Sequence, residues 1–179
     1  MVETNYTIPN APHLALLADL HGRPYQPVIE SLKRHKPDLI CIVGDILYGT
    51  HPNDDLSPLD TQENVLPFLR ACADLAPSYL SLGNHEWMLD DVDLKQIAAC
   101  GITVLDNDFK VITLNGRQIV IGGLTSAYCL AYRRYVERLT AEERAEHRYP
   151  KKECGGNEKL APDAEWLKEF AAKKGWHIL

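Results

Sequence analysis

Asp38-Leu39-Ile40-Cys41-Ile42-Val43-Gly44-Asp45 decides how the chain is read: an unbroken apolar run, then a glycine, then a carboxylate. A short apolar run without alternation is the pattern of a strand buried on both faces, as in a mainly parallel sheet. Two more runs share the form, His13 to Ala18 upstream and Tyr79 to Leu82 downstream. Helical segments lie between them. Gln26 to His35 is stopped by Pro37, and Leu59 to Leu75 sets Leu66, Leu69 and Ala73 at helical spacing before Pro77 ends it. Strand and helix in alternation predict βαβ units.

Downstream the pattern changes. A helix is expected over Asp90 to Cys100, terminated by Gly101, and then a short strand over Thr103 to Leu105. Phe109 to Leu114 and Gln118 to Leu124 flank Asn115-Gly116, the strongest two-residue hairpin signal, so an antiparallel ribbon follows the parallel units. The polar stretch from Arg133 to Asn157, with Gly155-Gly156 near its end, is expected as an exposed helix and loop. Pro162 and Asp163 start a helix through Lys174, and Trp176 to Leu179 opens a further apolar run. No internal repeat or linker interrupts the chain, and 1–179 is expected to be one domain.

Composition excludes several classes. With 179 residues, 45% hydrophobic and 25% charged, the chain has enough apolar surface to fold and does not read as disordered. A net charge of -6 argues against electrostatic binding of nucleic acid, and a small anionic substrate would need a local positive centre. Met1 to Tyr6 carries no basic segment leading into an apolar run, and no apolar stretch approaches the roughly 18 residues of a membrane span. No membrane association and a cytoplasmic location are expected. The cysteines, Cys41, Cys72, Cys100, Cys129 and Cys154, are odd in number, widely spaced and without a C-x-x-C pair, so neither a disulfide framework nor a zinc knuckle is suggested. Cys41 is expected to be buried.

The chemistry stands directly after the first three strands: Asp19-Leu20-His21, then Gly44-Asp45, then Gly83-Asn84-His85-Glu86. In an open parallel sheet, ligands bind beyond the carboxyl ends of the strands, so these segments converge. Asp19 and His21 are two residues apart, which in extended chain points both side chains the same way. One cation is able to take both. Gly44 allows a sharp turn that brings Asp45 inward, where its two oxygens reach two metals; Gly83 does the same for Asn84. An amide oxygen, imidazole nitrogen and carboxylates suit manganese, iron or zinc. His85 is placed to donate a proton to a leaving alcohol or to stabilise phosphoryl charge.

Each block alone has an ordinary reading. Asp-x-His arises by chance, Gly-Asp is common turn chemistry, and Asn84 with Glu86 would cap a following helix. The conjunction, in order and after three strands, favours function. Tyr48, Asp54, Asp55, Tyr128 and Arg133 are read as loop residues that either line the mouth of the site or are simply solvated.

These blocks resemble the first three signature blocks of the calcineurin-like metallophosphoesterase family. The similarity extends to Gly122-Gly123-Leu124 and to Trp166-Leu167-Lys168-Glu169-Phe170. It implies an α/β fold with mixed β-sheets flanked by helices, part of the family's four-layer α/β/β/α architecture. It further implies two divalent metal ions (Mn, Fe or Zn), with Asp19 and His21 holding the first, Asp45 bridging both, Asn84 holding the second, and His85 assisting catalysis. Two such ions about 3.5 to 4 Å apart would bind the phosphate and activate a water. The implied substrate is a small phosphate ester or a phosphoprotein.

The resemblance also sets expectations about what is missing. Family members carry a His after a further strand and then a Gly-His-x-His block, and this sequence stops at Leu179. His147 and His177 are read as ordinary surface or strand residues. The domain is therefore expected to be incomplete at its carboxyl terminus, with a weak second metal site held by Asp45 and Asn84 alone. An exposed sheet edge would invite a homo-oligomer. Beside the hydrolase stands the alternative of an impaired or inactive homologue acting as a metal-binding or interaction module.

Overall fold

The computed structural model describes residues 1–48, 55–146 and 164–179. In chain order the first part gives β1 (Leu14–Leu17), α1 (Gln26–His35), β2 (Leu39–Ile42), α2 (Pro58–Thr61), α3 (Val65–Leu75), β3 (Ser78–Ser81), a 3-10 turn (Asn84–Glu86), α4 (Asp91–Ala99) and β4 (Ile102–Leu105). The hairpin β5 (Asp108–Leu114) and β6 (Arg117–Gly123) follows, then α5 (Ala127–Arg138), α6 (Ala141–Glu146), α7 (Leu167–Ala172) and β7 (Trp176–Ile178). The strands form two sheets. The first is parallel in the order β1-β2-β3-β4; the second is β5-β6-β7, with β6 antiparallel to β5 and parallel to β7.

Why β2 is apolar throughout follows from its two neighbours. Ile40 and Ile42 face a core shared with Ile29 and Leu32 of α1, Phe68 and Leu69 of α3 and Ile97 of α4. Leu39 and Cys41 point the other way, where they meet Tyr79, Leu105, Ile119 and Ile121. That second core joins the sheets face to face, each strand alternating between the two sides. At one point the sheets touch through backbone: a Cβ on Gly123 would lie 2.4 Å from the Leu105 carbonyl oxygen. The outer face of the second sheet is covered by α7, with the Trp166 and Phe109 rings stacked at 6.3 Å and Phe170 beneath Gly122. The result is four layers, α/β/β/α, as expected.

Several boundaries differ from the sequence reading. The segment 59–75 is two helices: Ser57 caps α2 by accepting from Leu59 N–H, and the chain breaks over Gln62 to Asn64 before α3. α5 begins at Ala127 under a Ser126 cap, so Tyr128 and Arg133 lie on a helix and not on loops. Arg133 pairs with Asp106 at 2.8 Å and pins α5 to the turn after β4. The start assigned at Pro162 and Asp163, together with Asp54, His147, Cys154 and Gly155-Gly156, lies outside the described residues. α7 ends at Ala172, short of Lys174. No helix among the described residues is long and apolar enough to cross a membrane.

Candidate metal centre

The loops after β1 and β2 take an unusual backbone form. Asp19, His21 and Asp45 all have positive φ, at 58°, 49° and 54°. Side chains with a Cβ pay for the left-handed region, and such strain clusters where surrounding structure over-determines the loop. Asp19 and His21 therefore do not meet by extended-chain alternation, as the sequence suggests, because β1 ends at Leu17 and the chain has already turned. The loops are stitched to each other: His21 N–H donates to the Asp45 carbonyl at 3.1 Å and Gly22 N–H to the Ile46 carbonyl at 2.8 Å.

Gly44 has φ +81°, and a Cβ there would lie 2.4 Å from the Gly83 nitrogen. Here both dihedral and space demand glycine. Gly83 has an ordinary φ of -77°. Its requirement is space alone, since a Cβ would fall 2.3 Å from Asp45 Oδ1.

These turns bring ligand atoms of His21, Asp45 and His85 within 4.8 Å of one another. The two imidazoles stand edge to face at 4.5 Å between centroids. His21 Nδ1 lies 3.2 Å from the Leu47 carbonyl, which only accepts, so this nitrogen carries the proton. Nε2 is set 3.3 Å from Asp19 Oδ1, a separation that a proton or a cation between the two atoms would satisfy. His85 Nδ1 is buried with no hydrogen-bond partner, a second polar atom that calls for one. Asp45 Oδ1 accepts from His85 N–H at 3.0 Å, and Asn84 and Asp19 are solvent-exposed at the rim.

Glu86 reads in the sequence as a helix-end residue, and the structure gives it a larger task. Its carboxylate is 1% exposed and accepts four backbone N–H groups, from Asp45 at 2.8 Å, Ile46 at 2.9 Å, Leu47 at 3.1 Å and Gly83 at 2.8 Å. Burial pushes its carboxyl above the usual range and the Asp45 charge adds to this, while the Leu47, Asp45 and Gly83 N–H groups pull it back. One side chain thus ties the second block to the third. The available signal is the acid's position directly after Asn84-His85, which a capping reading absorbs equally well.

Gln62 and Asn64 carry no such signal, and sequence reasoning misses them altogether. Asn64 Nδ2 donates to the Gly22 carbonyl at 3.0 Å, and Gln62 bonds both backbone groups of Tyr48, accepting at 2.6 Å and donating at 3.3 Å. From the other side, Cys129 Sγ donates to the Gly83 carbonyl at 3.1 Å, its thiol pushed up to about 12 by burial. Cys41, Cys72, Cys100 and Cys129 are all buried and free, so the centre is one of nitrogen and oxygen donors. His177 lies on the outer face of the second sheet, its Nε2–H donating to the Phe170 carbonyl at 3.0 Å. A cavity of about 680 Å³ beside β1 and α1 is bordered by Asp19 but not by His21, Asp45 or His85, so it is not the centre itself.

Comparison with known proteins identifies the family. The family model for calcineurin-like phosphoesterases matches residues 12–178. A Caenorhabditis elegans chain with the provisional name metallophosphoesterase F40B5.2 is 31% identical over 125 residues, 65% of this chain but only 24% of that one. Among solved structures, a phosphopantetheinyl hydrolase from Mycobacterium tuberculosis aligns over 92% of this chain and 62% of its own, at 17% identity and a TM-score of 0.44. A 5'-nucleotidase precursor from Thermus thermophilus aligns over 65% and 29%, at 14% identity and a TM-score of 0.45. The family model, spanning nearly the whole chain, establishes that this protein belongs to the calcineurin-like phosphoesterase family.

Proposed function

We propose that the chain forms a metallophosphoesterase domain over 1–179 that hydrolyses a phosphate mono- or diester with metal-activated water. The family consists of phosphoric ester hydrolases that use divalent metals. The observation that carries the reading is the meeting of His21, Asp45 and His85, with His21 Nε2 facing the Asp19 carboxylate and a ring nitrogen of His85 buried without a partner. His21 and Asp45, with Asp19 beside them, offer the nitrogen and oxygen donors that fit a divalent cation such as manganese, iron or zinc.

On this reading Asp19, His21 and Asp45 hold the first of two cations, and Asp45 and Asn84 the second. Bound there, a divalent ion supplies Lewis acidity to the phosphoryl oxygens and lowers the pKa of water. The protein's own residues do the rest. The Leu47 carbonyl fixes His21 with Nε2 inward, a second contact of the kind that orients metal-bound imidazoles. Glu86 holds the Asp45 and Gly83 backbones, and with them the two loops that carry the Asp45 carboxylate and Asn84. His85, beside His21, holds the proton that the leaving oxygen needs. The substrate is a small phosphate ester or a phosphoprotein.

Metal analysis of purified protein, with hydrolysis of an aryl phosphate in added Mn²⁺, tests the proposal. Turnover that disappears in Asp45→Asn is expected; protein that binds no metal overturns it.

A second reading, that of an interaction module, has one observation in its favour. Leu16 on the β1 edge is 62% exposed, and Val43 on the same face of the sheet is 48% exposed. Exposed apolar side chains at the edge of a sheet favour a partner, including a second copy.

A further inference from the structure

Tyr48 stands apart from the other exposed aromatic residues. Single exposed apolar side chains are ordinary, but this one is fixed at both backbone groups and set against a candidate metal ligand. The residue is 56% exposed, while its N–H and carbonyl are both bonded by the Gln62 amide, at 2.6 and 3.3 Å. Gln62 is itself wedged in place, since a Cβ on Gly22 would lie 2.8 Å from its Oε1. The Tyr48 ring meets His21 edge to face, with centroids 6.5 Å apart and planes at 82°.

We propose that Tyr48 is the platform for the leaving group, and that the favoured esters carry a planar aromatic or heteroaromatic leaving group. The proposal rests on the phosphoesterase reading of the same centre. A phosphoryl group gathered at His21 brings its ester substituent within reach of a ring 6.5 Å away. A tyrosine ring offers flat apolar area with few rotatable bonds, and it stacks on any planar π-system without demanding particular hydrogen bonds. Because the edge-to-face contact uses little of the ring surface, more than half of the residue stays open to such a partner. Holding the backbone through Gln62 fixes the platform before substrate arrives, which lowers the ordering cost of binding.

The test compares phenyl phosphate with ethyl phosphate, in Mn²⁺, for the unaltered protein and for Tyr48→Ala, Tyr48→Leu and Tyr48→Phe. If monoesters are not turned over, the corresponding methyl diesters take their place. Each variant's phenyl-to-ethyl ratio of kcat/KM is divided by that of the unaltered protein, which cancels the difference in leaving-group reactivity. Tyr48→Ala and Tyr48→Leu are expected to lower the ratio about tenfold, mainly through KM for the phenyl ester, and Tyr48→Phe to keep it. Circular dichroism and a melting curve show whether each variant is folded, and the backbone bonds to Gln62 survive all three changes. An unchanged ratio in folded Tyr48→Ala overturns the platform, as does a loss in Tyr48→Phe equal to that in Tyr48→Ala. If the unaltered protein hydrolyses neither ester in Mn²⁺, the phosphoesterase reading itself falls and takes the platform with it.

Discussion

The loop that closes the β5–β6 hairpin and the loops that follow β1 and β2 all use left-handed backbone, and they do so for opposite reasons. In the hairpin, Asn115 and Gly116 have φ of 50° and 75°, and a Cβ on Gly116 would meet nothing within 4 Å. The turn is local chemistry, satisfied by two residues that tolerate the conformation. After β1 and β2, the left-handed residues that carry a Cβ are Asp19, His21 and Asp45, in loops tied from outside by Glu86, Gln62 and Asn64. In these two loops the left-handed backbone is kept by a network, and the side chains it carries lie at or beside one centre.

The largest effect should come from removing the network. Glu86→Ala leaves four buried N–H groups without their acceptor and is expected to cost about 4 kcal/mol in urea denaturation. A cost under about 1 kcal/mol would show that the loops hold themselves and would erase the distinction. Glycine substitution gives a matched pair. Gly44→Ala combines positive φ with a backbone collision and should cost about 3 kcal/mol along with Mn²⁺ affinity measured by calorimetry, whereas Gly116→Ala should cost about 1 kcal/mol and leave affinity alone. Equal costs would mean that crowding at Gly44 relaxes freely.

The smallest effect concerns a contact made through one exposed carboxylate. Glu3 in the amino-terminal tail accepts from Ser31 Oγ at 2.7 Å and meets His35 Nε2 at 2.7 Å. The Ser31 bond first, and then the His35 bond, lower its carboxyl from the ordinary 4.5. A lowered folded pKa means that the docking contribution is present in full above pH 4.5 and fades as pH falls through the lowered value. Limited proteolysis should cut the tail faster below that range, with little change in the melting temperature. A tail whose sensitivity stays constant from pH 7 down to the onset of acid unfolding would show that Glu3 does not hold it.

Much of this architecture is legible in the sequence because its punctuation is local. Pro37 ends α1 near His35 as expected, and Asn115-Gly116 fixes the hairpin register from Asp108↔Gly123 to Leu114↔Arg117. The glycines and acids after each apolar run place the candidate residues at three strand ends. What the sequence hides are contacts between segments far apart in the chain. The break at Gln62 to Asn64 interrupts no obvious pattern, since the helical spacing of Leu66 and Leu69 starts only after it. Nothing local distinguishes a Glu86 that caps its own turn from one that reaches the loop forty residues upstream. The same limit explains Arg133, whose charge suggests the mouth of the site and whose position on α5 gives it to Asp106.

Glu86 also bears on motion. Its Oε1 takes the Ile46 and Leu47 amides and its Oε2 those of Asp45 and Gly83. Neither loop can open without releasing hydrogen bonds from the carboxylate that also serves the other. Local opening there is consequently a single cooperative event that involves both strand ends, and the two halves of the centre form one unit of local stability.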